Sequence, residues 1–295
     1  MLNSAPIFIN GFPRGGTTLL QDIVASHPEV GLLHAETHQV FYGRESEARK
    51  KWVNRAFYAP VMLATGQHLF RLTNLEEREP VSPAVARYID LRLFLSKVLF
   101  TRNRHHDGVT RPWSEIMRSR LLGKNMNGLA FTTPLLSAMY PDVTFFALVR
   151  NGLALCEGWM RRGKTPEYAG YLYRKIGERM LDDAAQMKNY HILRFEDLIA
   201  NPLATIVDIH DRAGLELCRT SKIGLESRAS MGKDGVRRTL FGEGRELVWV
   251  PLCEIDRYLR KDVNENQVAR LSDSDKAIFL SQCGQVMERL GYLDN

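Results

Sequence analysis

The sequence has no Cys-x-x-Cys pair and no cysteine–histidine cluster at zinc-ligand spacing. Its four cysteines, Cys156, Cys218, Cys253 and Cys283, stand far apart, as expected of reduced thiols in a reducing compartment. No uncharged apolar run reaches the roughly 18 residues that a membrane-spanning helix needs. The opening MLNSAPIFINGF lacks a basic stretch followed by a long apolar one, so no secretory signal is expected. Low-complexity tracts and repeat periods are also missing. The expectation is a soluble, cytoplasmic protein with no membrane partner.

What is present is ordinary globular composition, with 44% hydrophobic and 25% charged residues over 295 positions. A single domain over 1–295 is expected. The net charge of +6 is unevenly spread: residues 44–120 hold 15 Lys and Arg against 8 Asp and Glu, leaving the remainder close to neutral. Such a basic stretch fits an anionic partner or substrate, or else a solvated helical face. No nucleic-acid recognition motif accompanies it, and oligomeric state is not legible.

The apolar run at 6–10 reads as a strand, followed by glycines and proline, then by a helical pattern from Thr17 with Leu19, Leu20, Ile23 and Val24 on one face. Pro28 ends that helix, and a short strand is expected at 30–33. Residues 44–122 read as helical, broken by Pro60, Pro80, Pro83 and Pro112, with no evident strand. A short helix at 133–140 precedes a buried strand at 143–149 that ends in Arg150. Further on, the pattern predicts a helix over 167–188 and a strand over 191–195. Asn201-Pro202 opens a helix that Gly214 closes, 219–250 reads as loop-rich, and Ser272 caps a last helix to Leu290. Strands alternating with helices predict an α/β fold: a P-loop-type central parallel sheet flanked by helices, with a helical insertion at 44–120.

Gly11-Phe12-Pro13-Arg14-Gly15-Gly16-Thr17-Thr18 has the spacing of a phosphate-binding P-loop in the required strand–loop–helix context. Glycines let backbone N–H groups wrap an anion, and the helix dipole adds positive potential. Thr17 stands where a nucleotide-hydrolysing P-loop carries lysine, and the 143–149 strand ends in Arg150 rather than a magnesium-holding aspartate. The loop is therefore expected to hold a phosphate without metal, with Arg14 as its cation.

These residues resemble a known family. The stretch from Ile7 to Leu20 is similar to the 5′-phosphosulfate loop of sulfotransferases that use 3′-phosphoadenosine 5′-phosphosulfate (PAPS), closest to the protein-tyrosine and heparan-type branch. Leu148-Val149-Arg150-Asn151-Gly152 resembles that family's 3′-phosphate segment. Arg194-Phe195-Glu196-Asp197-Leu198 and Gly291-Tyr292 resemble later segments. The resemblance covers about 6–41, 120–215 and 275–293. It implies that Arg14, Gly15, Gly16, Thr17 and Thr18 hold the 5′-phosphate, with Arg14 also near the sulfuryl group. Arg150 would take the 3′-phosphate. Glu36 would be the general base, flanked by His34 and His38; strand alternation puts all three on one face, so spacing does not choose among them. Lys124 matches a lysine that assists the departing oxygen, although the proline that normally follows is absent.

Two positions depart from the pattern. Gly158 replaces a serine of the 3′-phosphate site, with Cys156, Arg161 or Arg162 as substitutes, and Phe195 replaces a tyrosine beside the adenine. Gly232-Lys233-Asp234-Gly235 is either a late phosphate loop or a plain turn. The resemblance implies transfer of the sulfuryl group of PAPS to a hydroxyl or amine, in line and without metal, leaving PAP. The acceptor would be an anionic sugar, glycan or peptide, with the basic 44–120 segment as its lid; Trp52, Phe57, Tyr58, Phe70 and Trp113 leave room for a hydrophobic one. A non-catalytic regulator that binds PAP or PAPS, and a P-loop kinase or NTPase with a displaced lysine, are the alternatives.

Overall fold

A computed structural model describes residues 1–34, 36–38, 40, 63–64, 75–231, 236–244 and 246–293. Five strands form one parallel sheet: β1 (Ile7–Gly11), β2 (Val30–Leu32), β3 (Arg120–Met126), β4 (Thr144–Val149) and β5 (Tyr190–Arg194), in the order β2-β3-β1-β4-β5. Helix α1 (Thr17–Ala25) follows β1. Helices α2 (Pro83–Val98) and α3 (Trp113–Arg118) lie between β2 and β3, and α4 (Thr133–Met139) leads into β4. Helices α5 (Gly152–Met160) and α6 (Pro166–Gln186) connect β4 to β5. The chain closes with α7 (Phe195–Ala200), α8 (Pro202–Ala213), α9 (Val263–Val268) and α10 (Asp273–Arg289).

The sheet is buried on both faces, because its strands alternate between two apolar layers. Ile7 and Ile9 of β1 and Phe146 and Leu148 of β4 pack with Leu20 and Ile23 of α1 and Ile206 and Ile209 of α8. Phe8 of β1 and Phe145 and Ala147 of β4 pack on the opposite layer with Tyr173 of α6 and Phe279 of α10. The last helix starts as its sequence signal predicts, with Ser272 accepting from the backbone N–H of Asp275, and Thr165 caps α6 in the same way by accepting from Tyr168. Gly214 ends α8 in the left-handed region at φ 62°. Asn201 precedes α8 as expected, but its side chain makes no capping bond.

Several expectations change. Strand β3 lies between β2 and β1, where 44–122 was expected to be helical and nothing was expected at 120–126. Its apolar run is interrupted by Gly123-Lys124-Asn125, and those polar residues are buried for specific reasons: Asn125 donates to Asn10 Oδ1 at 3.1 Å, and Asn10 donates to Thr133 and Tyr190. The loop-rich 219–250 stretch contains an antiparallel ladder of Lys222–Glu226 with Leu247–Pro251. Much of the expected 44–120 lid lies outside the described residues, as do Trp52, Phe57, Tyr58 and Phe70. Its described part covers the sheet edge, where Asn103 exchanges hydrogen bonds with both backbone groups of Leu32 at 2.9 and 2.8 Å. Trp113 is exposed and stacks with Arg104.

His27, at the end of α1, is completely buried. Its Nδ1 accepts from the Glu29 amide at 3.2 Å, so the proton sits on Nε2, facing the Glu216 carbonyl at 3.2 Å. Burial pushes its pKa down to about 4. Below the ordinary histidine value of about 6.5 the unfolded chain takes up a proton that folded His27 refuses, so stability falls as pH drops from 6.5 toward 4. His106 and His210 are depressed in the same direction, also by burial. In urea unfolding, wild type should lose about 3 kcal/mol more than His27→Gln between pH 7 and pH 4. An unchanged slope in the variant contradicts the assignment.

Candidate active site

Every strand of the sheet delivers a residue to one end. The phosphate loop follows β1, Glu36 follows β2, Lys124 lies near the end of β3, Arg150 follows β4, and Phe195 follows β5. This is the carboxyl edge, where open parallel sheets bind ligands. These residues line a cleft of about 420 Å³.

The loop is held open by its backbone. The Gly15 amide donates to the Phe12 carbonyl at 2.9 Å, closing a turn. Arg14 sits at φ 69°, a strained value for a side-chain-bearing residue, and Gly16 at φ 88°. A Cβ on Gly16 would lie 2.3 Å from the Phe195 ring, so only glycine fits between loop and ring. No side chain caps α1, and while the Leu19 and Leu20 amides donate to the Gly16 carbonyl, those of Thr17 and Thr18 are left for an anion.

The cleft is crowded with positive charge. Among the described residues, Arg14, Lys124, Arg150, Arg161, Arg162, Arg228 and Arg237 line it, against the single carboxylate Glu36. Arg161 pairs with Glu157 at 2.7 Å and Arg228 with Glu226 at 2.8 Å. The guanidiniums of Arg14 and Arg162 have no carboxylate partner among the described residues. Burial lowers the pKa of Arg14, and the fields of Arg162, Arg161, Arg237 and Arg228 lower it further. A guanidinium so placed is stabilised by an anion.

Lys124 supplies a cation from the neighbouring strand where the loop itself has Thr17. Its ammonium donates to Thr18 Oγ1 at 3.2 Å and lies 3.5 Å from Glu36 Oε1. Burial lowers its pKa, opposed by Glu36. His38 Nδ1 stands 3.5 Å from the other Glu36 oxygen. His34 is elsewhere: it is exposed and meets Phe100 edge-on at 5.1 Å. The expectation that 34, 36 and 38 share a strand face is corrected, because β2 ends at Leu32 and the chain turns. Glu36 and His38 meet near the cleft, and His34 does not.

Arg150 is buried and its guanidinium is already gripped. Nε donates to Asn264 Oδ1 at 2.7 Å, Nη1 to the Arg14 carbonyl at 2.6 Å, and Nη2 to Gln267 Oε1. It lies over the Phe195 ring at 4.6 Å. Burial lowers its pKa to about 10, with Glu196 opposing. Gly158 is buried and does not line the cleft; a Cβ there would lie 3.4 Å from Gln267 Nε2. Of the suggested substitutes, Arg161 and Arg162 reach the cleft, while Cys156 is a core thiol whose pKa burial raises to about 12. Gly232 to Gly235 lie outside the described residues. Sequence reasoning missed Asn264, Gln267, Arg228 and Arg237: α9 is too short to show periodicity, and the two arginines stand in a stretch with no motif.

A model of the Sulfotransferase family matches residues 6–219. No curated protein sequence matches the chain. Among solved structures, the sulfotransferase domain from the Synechococcus PCC 7002 olefin synthase is 16% identical, with 99% of this chain and 97% of that one covered at a TM-score of 0.55. The sulfotransferase domain from the curacin biosynthetic pathway is 14% identical, with 99% of each chain covered at a TM-score of 0.54. Identities this low carry the fold alone. The family match, which spans well over half of the sequence, carries the membership: the chain belongs to the Sulfotransferase family, the enzymes that transfer sulfuryl groups.

Proposed function

We propose that the protein transfers the sulfuryl group of PAPS to a hydroxyl or amine of an acceptor, in line and without a metal ion. The carrying observation is the guanidinium of Arg14, without a carboxylate partner among the described residues, in one cleft with Arg161, Arg162, Arg228 and Arg237 beside the uncapped start of α1. That donor set fits a polyanion with two phosphate groups, and lacks the lysine-in-loop pattern of nucleotide hydrolysis. Beyond Phe195, an apolar chamber of about 180 Å³ walled by Leu19, Ile199, Phe241 and Tyr258 suits a purine.

When bound, PAPS supplies a sulfur that bonds to the acceptor oxygen or nitrogen as its bond to the bridging phosphate oxygen breaks. The first-turn N–H groups of α1 and the Thr17 and Thr18 hydroxyls hold the 5′-phosphate. Arg14 and Lys124 place positive charge where the bridging oxygen gains negative charge, which favours the transition state over the ground state. Glu36 takes the acceptor's proton; its contact with Lys124 keeps it beside the reacting groups. Arg150 faces the 3′-phosphate. With one carboxylate against seven cations among its described residues, the cleft favours an acceptor that is itself anionic, such as an acidic sugar, glycan or peptide.

Calorimetric titration in the presence of a chelator should find PAP bound at least about tenfold more tightly than AMP, because the second phosphate adds charge-assisted hydrogen bonds. Equal affinities contradict the reading. In a PAP-release assay over an acceptor panel, Glu36→Gln should lower turnover by about 100-fold or more while PAP affinity stays within about threefold. A variant as fast as the wild type removes Glu36 from the role of base. Wild-type protein that binds PAP yet releases none from PAPS with any acceptor favours the regulator reading.

A further inference from the structure

Arg150 is held by two carboxamides of one short helix, and each carboxamide leads on to a carboxylate. Asn264 and Gln267 stand three residues apart on α9, on one face. Arg150 Nε donates to Asn264 Oδ1, and the Asn264 amide donates to Glu196 Oε1. Arg150 Nη2 donates to Gln267 Oε1, and Gln267 Nε2 donates to Glu157 Oε2 at 2.9 Å and to the Ala154 carbonyl at 3.0 Å. The amide orientations are forced, since a guanidinium only donates and an ionised carboxylate only accepts. Both carboxylates have further donors. Glu196 accepts from the Asn151 amide at 2.9 Å and Tyr292 Oη at 2.7 Å, and Glu157 from Arg161 and Arg270. Burial works against ionisation of Glu157, but its hydrogen bonds from Gln267, Arg270 and Arg161 outweigh that and lower its pKa.

We infer that Asn264 and Gln267 are positioning residues that aim Arg150 into the cleft while keeping Glu196 and Glu157 one amide away from it. A direct pair with either carboxylate would neutralise Arg150 and fill its fork. Neutral amides orient the same N–H groups without cancelling the charge, and two of the five guanidinium N–H groups are left for an incoming anion. Gln267 also occupies the space beside Gly158, so the lost serine position is closed by a side chain that acts through Arg150. The inference rests on the reading of the cleft as a PAPS site.

The test turns on a double variant that exchanges carboxamide and carboxylate without changing net charge. PAP and AMP are titrated calorimetrically into wild type, Gln267→Glu and the double variant Gln267→Glu/Glu157→Gln, with thermal melts as the check on folding. Gln267→Glu should weaken PAP about tenfold or more and AMP by less than about threefold. The double variant should keep the PAP defect, because its carboxylate still sits on Arg150. A double variant with the wild-type ratio of PAP to AMP affinity overturns the inference, since net charge or packing would then suffice. Asn264→Asp/Glu196→Gln makes the same exchange at Nε and is read identically if the first pair fails to fold. Wild type that prefers PAP, with exchanges that leave the preference intact, overturns this inference alone; wild type with no preference for PAP overturns it together with the PAPS reading.

Discussion

Repulsion among guanidiniums around Arg14 is the constraint on which the site depends. Arg14 is held at a left-handed φ between β1 and α1, exposed at the cleft that it lines together with Arg161, Arg162, Arg228 and Arg237. Like charges so arranged work against the compact state. The fold maintains them because the loop backbone is fixed from two sides: the Phe12–Gly15 turn closes it below, and Arg150 holds the Arg14 carbonyl from the end of β4. In the proposed reading, an anion at the start of α1 relieves that repulsion, so binding and folding would pull on the same loop.

The motifs that stand apart in the sequence are joined physically. Asn151 caps α5 with its side chain, and its amide donates to Glu196 from the segment after β5. Glu196 also accepts from Tyr292 at the end of α10. The arginine strand, the Arg194-Phe195-Glu196-Asp197-Leu198 segment and the terminal Gly291-Tyr292 therefore form one hydrogen-bonded assembly behind Arg150, with α9 wedged between them. Spacing alone does not reveal this, since no local pattern links residues separated by about a hundred positions.

What the sequence made legible was what local chemistry dictates. The strand ending in Arg150, the helical pattern of α6, the capped helix α10, Gly214 after α8, and the glycine loop between strand and helix each carry their own signal. The rest depended on tertiary contacts. Strand β3 is concealed because Lys124 and Asn125 serve the cleft and the Asn10 network, so its apolar pattern breaks where function intervenes. The alternation argument for Glu36 failed because β2 stops at Leu32. Basic charge at 44–120 drew attention to an anionic partner; among the described residues, the cations lining the cleft come from the P-loop, the end of β3, the stretch from Arg150 to Arg162 and the stretch from Arg228 to Arg237. No described residue of 75–120 lines it.

Thermal melting of wild type and Arg14→Ala, each with and without PAP, bears most directly on the claim that the crowded cations are an anion seat. The account expects the ligand-free variant to melt no lower than the wild type, because one repelling charge is gone, and to lose most of the stabilisation that PAP confers. A variant that melts well below the wild type yet retains the full PAP-induced rise would contradict it.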